Sequence, residues 1–195
     1  MLKAKTAVLV SGGGTNLQAL IDAEGRGELP HAKIRLVVSN RENAFALKRA
    51  EDAGIRAEYV KNDAAFEAGL LTLLEEEGIE LIVLAGFLRI LSADLIKRFE
   101  GRIINVHPSL IPSFCGMGFY GLKVHEAALS RGVKLTGATV HIVTAEADAG
   151  PILMQKAVEV KEGDTPEILQ KRVMKEAEWV ILPAALESLA EKLKG

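Results

Sequence analysis

A single cysteine, Cys115, stands among 195 residues. It has no partner for an intramolecular disulfide and excludes a zinc site built on several cysteines. Aromatic residues are sparse, at 5%. Charge of one sign is missing too, since 24 Lys and Arg face 26 Asp and Glu for a formal net charge of −2. That balance provides neither a nucleic-acid footprint nor a polybasic face for a membrane. Long hydrophobic runs are also missing near the start, where Ala7–Val10 is too short for a signal peptide or a membrane span. A cytoplasmic location is therefore the default expectation. The histidines and carboxylates show no metal-ligand spacing such as HExxH, so no metal is expected.

What is present is enough apolar material, 49% of residues, for one domain over residues 1–195 with a sizeable core. Short β-branched or apolar runs at Thr6–Val10, Lys33–Ser39, Ala57–Val60, Leu81–Leu84 and Arg102–Val106 alternate with helical patterns at Thr15–Ala23, Ala44–Ala53, Ala64–Glu77 and Ser92–Phe99. Near-continuous apolar strands between amphipathic helices predict an α/β fold, a mostly parallel, doubly wound, Rossmann-like sheet with helices on both faces. After a loop-like Pro108–Leu122 and a short helix at Val124–Ser130, the β-like runs Thr136–Val143 and Ile152–Val160 flank a polar turn. Their proximity predicts antiparallel strands added in the C-terminal half. Thr165-Pro166 is a helix start, with Thr as N-cap and Pro at the first helical position. The helix is expected to break or kink at Pro183 before continuing towards Lys194.

The segment Ile103-Ile-Asn-Val-His-Pro108 carries the most chemistry. A residue before proline is pushed to extended geometry, and side chains alternate along a strand, so Asn105 and His107 project to one side. An amide donor beside an imidazole can stabilise an oxyanion and move a proton. The same residues also fit a strand-end turn that His107 merely caps. Ser11-Gly-Gly-Gly-Thr-Asn16 follows a strand and opens a helix, so its N–H groups at Gly13, Gly14, Thr15 and Asn16 suit an anion such as phosphate. It is neither a GxGxxG fingerprint nor a P-loop, and a plain strand–helix turn explains it as well. Ala85-Gly-Phe-Leu-Arg-Ile-Leu91 lies just past a buried strand, where open sheets place ligand crevices. Phe87 and Leu88 could line an apolar slot and Arg89 could reach an acidic ligand tail; simple packing of the turn is the competing reading. Asp148, in Glu146-Ala-Asp-Ala-Gly-Pro151, fits a local turn role unless the fold brings it to His107, where it would orient the ring and favour its charged form. His141 sits in a strand pattern that packing accounts for.

Four motifs in order, Val10-Ser-Gly-Gly-Gly-Thr-Asn-Leu-Gln18, Leu84-Ala-Gly-Phe-Leu-Arg-Ile-Leu91, Asn105-Val-His-Pro-Ser-Leu-Ile-Pro112 and Asp148-Ala-Gly-Pro151, resemble the phosphoribosylglycinamide formyltransferase family. The resemblance spans essentially the whole chain. It implies transfer of a formyl group from 10-formyltetrahydrofolate, as co-substrate and without a metal, to the amine of glycinamide ribonucleotide through a tetrahedral species. It further implies a catalytic set of Asn105, His107 and Asp148. The ribonucleotide would meet Gly13, Gly14, Thr15, Asn16, Lys175 and Glu178. The folate would meet Phe87, Leu88, Arg89, Ile90 and Leu91, with His141 and Val143 as pocket wall. The partners implied are small molecules, with no nucleic acid or membrane; a homodimer stays open.

Some features depart from that family. Ser113–His125 is longer than the corresponding loop of many members, and its start with Arg131–His141 is similar to formyltetrahydrofolate deformylase, in which water replaces the amine. That enzyme tends to carry a second His where Pro108 stands and usually an added N-terminal domain. An arginine that some members place near Asn62–Phe66 is missing. Methionyl-tRNA formyltransferase would need a tRNA-binding domain and a basic surface. A silent nucleotide-binding module is the remaining alternative. Phe114, Met117, Phe119 and Tyr120 give the long loop apolar surface to bury, against its own core, a second subunit or a bound ligand.

Overall fold

The computed structural model describes residues 2–195. Seven strands form one sheet: β1 (Ala4–Val10), β2 (Ala32–Ser39), β3 (Arg56–Tyr59), β4 (Leu81–Leu84), β5 (Ile103–His107), β6 (Leu135–Ile142) and β7 (Ile152–Glu159). Their order across the sheet is β3-β2-β1-β4-β5-β6-β7. The first five run parallel, and β6 and β7 add antiparallel at one edge, as the sequence pattern predicts.

The parallel strands read as unbroken apolar runs because both of their faces are covered. Alternate residues of β1 part accordingly: Val8 and Val10 join one core with Leu17, Leu20 and Leu186, while Ala7 and Leu9 join the other with Phe66, Leu70 and Leu95. The helices that cover the faces are α1 (Thr15–Gly25), α2 (Phe45–Asp52), α3 (Phe66–Glu76), α4 (Ala93–Arg98), α5 (Leu122–Arg131), α6 (Pro166–Val173) and α7 (Trp179–Lys194). Ser92 caps α4 by accepting from the Leu95 amide, and Thr165 caps α6 by accepting from the Ile168 amide with Pro166 in the first turn.

The last helical stretch differs from the expected break at Pro183. The interruption lies upstream, in a π-helical turn at Met174–Glu178, and Pro183 sits inside a continuous α7. The carbonyl that a residue at 183 would normally engage is that of Trp179, at the junction with the π turn, where the regular ladder is already broken. The missing N–H therefore costs little there.

Candidate active site

The end of β5 and the register of its neighbour build the site. Asn105 pairs with His141 and His107 with Thr139 across the antiparallel β5–β6 ladder. Residues directly opposite share a face, so the Asn105 amide meets the His141 ring, with Nδ2 and Nε2 3.2 Å apart. The His141 Nδ1 donates to the Ile142 carbonyl at 2.9 Å, which leaves Nε2 to accept from Asn105. One N–H of the Asn105 amide is thereby fixed and the other is left for a ligand. His141, expected as strand packing and, by the resemblance, as a pocket wall, also orients Asn105. Sequence alone hid this because it depends on strand register.

The turn between β6 and β7 delivers Asp148 to the same place. Its Oδ2 lies 3.5 Å from His107 Nδ1 and its Oδ1 3.4 Å from His141 Nε2. The backbone of Asp148 is left-handed, with φ 55°, a conformation that Asp tolerates better than most residues. Gly150 lets the turn fold back, since a Cβ there would stand 1.8 Å from the Ile142 carbonyl oxygen. Burial pushes the Asp148 carboxyl up, but the Gly116 amide 2.8 Å away and the charge of His107 outweigh it and hold the group below its usual range. It is an ionised acceptor at neutral pH.

The long loop closes the far side. His107 Nε2 donates to the Phe114 carbonyl at 2.9 Å, and the Gly116 amide donates to Asp148. Phe114 holds a left-handed φ of 50° and meets Phe119 edge-on, with ring centroids 6.4 Å apart. Part of the loop thus packs on itself and on the site, while Met117 stays 79% exposed. Sequence reasoning missed these backbone groups, which no side-chain pattern announces. Cys115 donates to the Pro112 carbonyl, and burial together with Asp148 pushes its thiol up, away from a nucleophilic thiolate.

Two cavities meet at Asn105 and Asp148. One, of about 380 Å³, is lined by Leu84, Phe87, Ile90, Leu91, Ile96 and Val143, with Arg89 at its rim. The other, of about 360 Å³, runs past His107 and Pro108 under the loop 116–121 and also touches Leu88. Arg89 stacks over Phe66 at 4.7 Å and donates to Asn62 at 2.6 Å, so this arginine occupies the neighbourhood where an Asn62–Phe66 arginine was missing. A larger cavity, about 560 Å³, opens at the opposite sheet edge among Glu24, Lys33, Arg35, Arg56 and Glu77. Its cations are already paired with carboxylates, and it lies away from the histidines.

The glycine turn does not line either cavity at Asp148. Gly14 takes φ 72° and opens α1, pressed against α2. Thr15 faces a separate hollow of about 230 Å³ with Arg49 and Trp179. Asn16 is tied to the far end of the chain: its Nδ2 donates to Glu178 at 2.6 Å. Burial pushes the Glu178 carboxyl up to about 7, partly offset by that bond. Lys175 is exposed on the same π turn. Among the described residues no group of three or more His, Cys, Asp or Glu is arranged to hold a metal ion.

Residues 4–186 match the model of a family described as formyl transferase. The chain belongs to that family. It is 38% identical to the phosphoribosylglycinamide formyltransferase of Haemophilus influenzae, over 96% of its own length and 87% of that enzyme's. It is 47% identical to the trifunctional purine biosynthetic protein adenosine-3 of Gallus gallus, again over 96% of its length, but it spans only 18% of that protein. Among solved structures, the glycinamide ribonucleotide transformylase 1 of Symbiobacterium toebii superposes with a TM-score of 0.90 at 40% identity, the match covering 97% of the present chain and 89% of the other.

Proposed function

We propose that the protein transfers the formyl group of 10-formyltetrahydrofolate to the amine of glycinamide ribonucleotide, working on small molecules in the cytoplasm. The observation that carries this is the meeting of Asn105, His107 and Asp148 between two cavities, one apolar and one beneath the long loop. The apolar slot suits a flat heterocycle, with Arg89 placed at its rim for an acidic tail. The second cavity is the approach for the amine, and the anion-receptive turn at Gly13–Asn16 would anchor the phosphate.

The reacting nitrogen of His107 is Nδ1, because the Phe114 carbonyl can only accept and so fixes the proton on Nε2. Attack of a neutral amine on the formyl carbon places negative charge on its oxygen. The second N–H of Asn105 and a proton on His107 Nδ1 donate to that oxygen, and they bind the tetrahedral species more tightly than the planar formyl group. Asp148, ionised and 3.5 Å from Nδ1, balances the ring's charge. Directly or through a water, it also takes the proton from the attacking nitrogen and passes it to folate N10, so that the C–N10 bond breaks, the formyl carbonyl re-forms and tetrahydrofolate leaves. No covalent enzyme intermediate is required.

The test is to incubate the protein with 10-formyltetrahydrofolate, with and without glycinamide ribonucleotide, and follow the folate product. Turnover that depends on the ribonucleotide is expected. Equal turnover without it would point to the deformylase reaction, and none at all to a silent module.

A further inference from the structure

Ser11 is buried just past the end of β1, and its hydroxyl is used on both sides. Oγ donates to Asn40 Oδ1 at 2.7 Å and accepts from the Leu88 amide at 2.9 Å. Asn40, also buried, ends β2, and Leu88 follows β4; these strands flank β1. One hydroxyl thus joins three turns at the same sheet edge: the glycine turn, the β2–α2 turn and the Gly86–Leu91 wall of both cavities. The next residues add to this frame. The Gly12 carbonyl accepts from the Ala46 amide at 3.1 Å, and the Gly13 carbonyl from Arg49 Nε at 2.8 Å. Its O–H and one of its two acceptor positions are engaged inside the protein, so the hydroxyl has no hydrogen left to donate to a substrate.

We propose that Ser11 is a positioning residue that holds the ribonucleotide turn and the folate wall in one register, so that filling one subsite sets the other. This rests on the formyl-transfer reading above. Removing the hydroxyl takes away the partner of the Leu88 amide and of the buried Asn40 Oδ1, while the anion-facing N–H groups and the apolar wall keep their own atoms. The predicted effect is a loss of mutual alignment, with little loss of affinity for either substrate alone.

The experiment compares wild type, Ser11→Ala and Ser11→Thr, which keeps a hydroxyl. Hydrogen exchange reads the Leu88 amide. Calorimetry reads the affinity of a non-reactive folate analogue with and without glycinamide ribonucleotide, and steady-state kinetics separate kcat from each KM. In Ser11→Ala the Leu88 amide should exchange faster and the coupling between the two ligands should fall from about fivefold or more to near one. Its kcat should drop about tenfold with both KM values nearly unchanged, and Ser11→Thr should recover most of each. If Ser11→Ala does not fold, Ser11→Cys puts a weak sulfur acceptor opposite the Leu88 amide and should lower coupling and kcat in the same direction. Wild-type turnover without need of the ribonucleotide would overturn the transfer reading and this proposal with it. Acceptor-dependent wild-type turnover with unchanged coupling and kcat in a folded Ser11→Ala would overturn the proposal alone.

Discussion

His107 and Phe114 are joined by a 2.9 Å hydrogen bond from the ring Nε2 to the backbone carbonyl, and this contact decides that Nδ1 is the nitrogen turned to Asp148. The left-handed Phe114 and the Gly116 amide on Asp148 place the long loop in the geometry of the site as well as over it.

In the proposed mechanism Asp148 balances the charge of the His107 ring while both act on one tetrahedral species, so removing either is expected to disable the unit. His107→Ala and Asp148→Ala are each expected to lower kcat by about 10²- to 10⁴-fold with little change in the ribonucleotide KM. The double variant should be scarcely worse than the more damaged single variant. Steady-state kinetics on the three proteins check this, and losses that multiply would show that the two residues work separately.

Gly150 tests the turn that delivers Asp148. A Cβ at this position would meet the Ile142 carbonyl oxygen at 1.8 Å, so Gly150→Ala has to displace the turn from β6. The expected result is a folded protein whose kcat falls by about 10²-fold or more, approaching that of Asp148→Ala. A circular dichroism spectrum like that of wild type, together with near-wild-type kcat, would contradict the placement of Asp148.

A substitution at Gly14 tests whether phosphate binding at this turn, as proposed, is separable from folate binding. A Cβ there would approach the Ala46 Cβ to 2.6 Å, and φ is 72°. Gly14→Val should raise the ribonucleotide KM by about tenfold or more while folate affinity stays within about twofold. Equal loss of both, measured by calorimetry, would instead indicate collapse of the β1–α1 turn.

Glu178 predicts a pH signature in stability. Its carboxyl sits at about 7 in the folded protein against 4.5 for the free group. The folded state therefore binds this proton more tightly than the unfolded chain. The associated stability is complete below 4.5 and is lost as pH rises through about 7. Glu178→Gln has no proton to lose and should gain on wild type across that window, by up to about 3 kcal/mol. Urea unfolding of both proteins from acid to neutral pH measures the difference, and a pH-independent offset would contradict it.

How much of this was legible in sequence varied with the range of the interaction. Leu81–Leu84 and Ile103–Val106 declared themselves as strands because burial on both faces demands unbroken apolar runs. The side shared by Asn105 and His107 followed from strand alternation next to Pro108. The grip of His141 on Asn105 did not, since it needs the β5–β6 register. The π turn at Met174–Glu178 was hidden because no residue type requires it, and Pro183, the obvious breaker, lies where the ladder is already interrupted. Phe114 and Gly116 act through backbone atoms, which every residue carries, and the two partners of Ser11 lie on separate strands' turns.

The most direct measurement follows a ¹³C-labelled formyl group through one round of reaction with the folate donor and glycinamide ribonucleotide. The account predicts the label on the amine of the ribonucleotide, one for each folate consumed, in wild type and at a rate cut by about 10²-fold or more in His107→Ala. Label released as free formate, or transfer undiminished in His107→Ala, would contradict it.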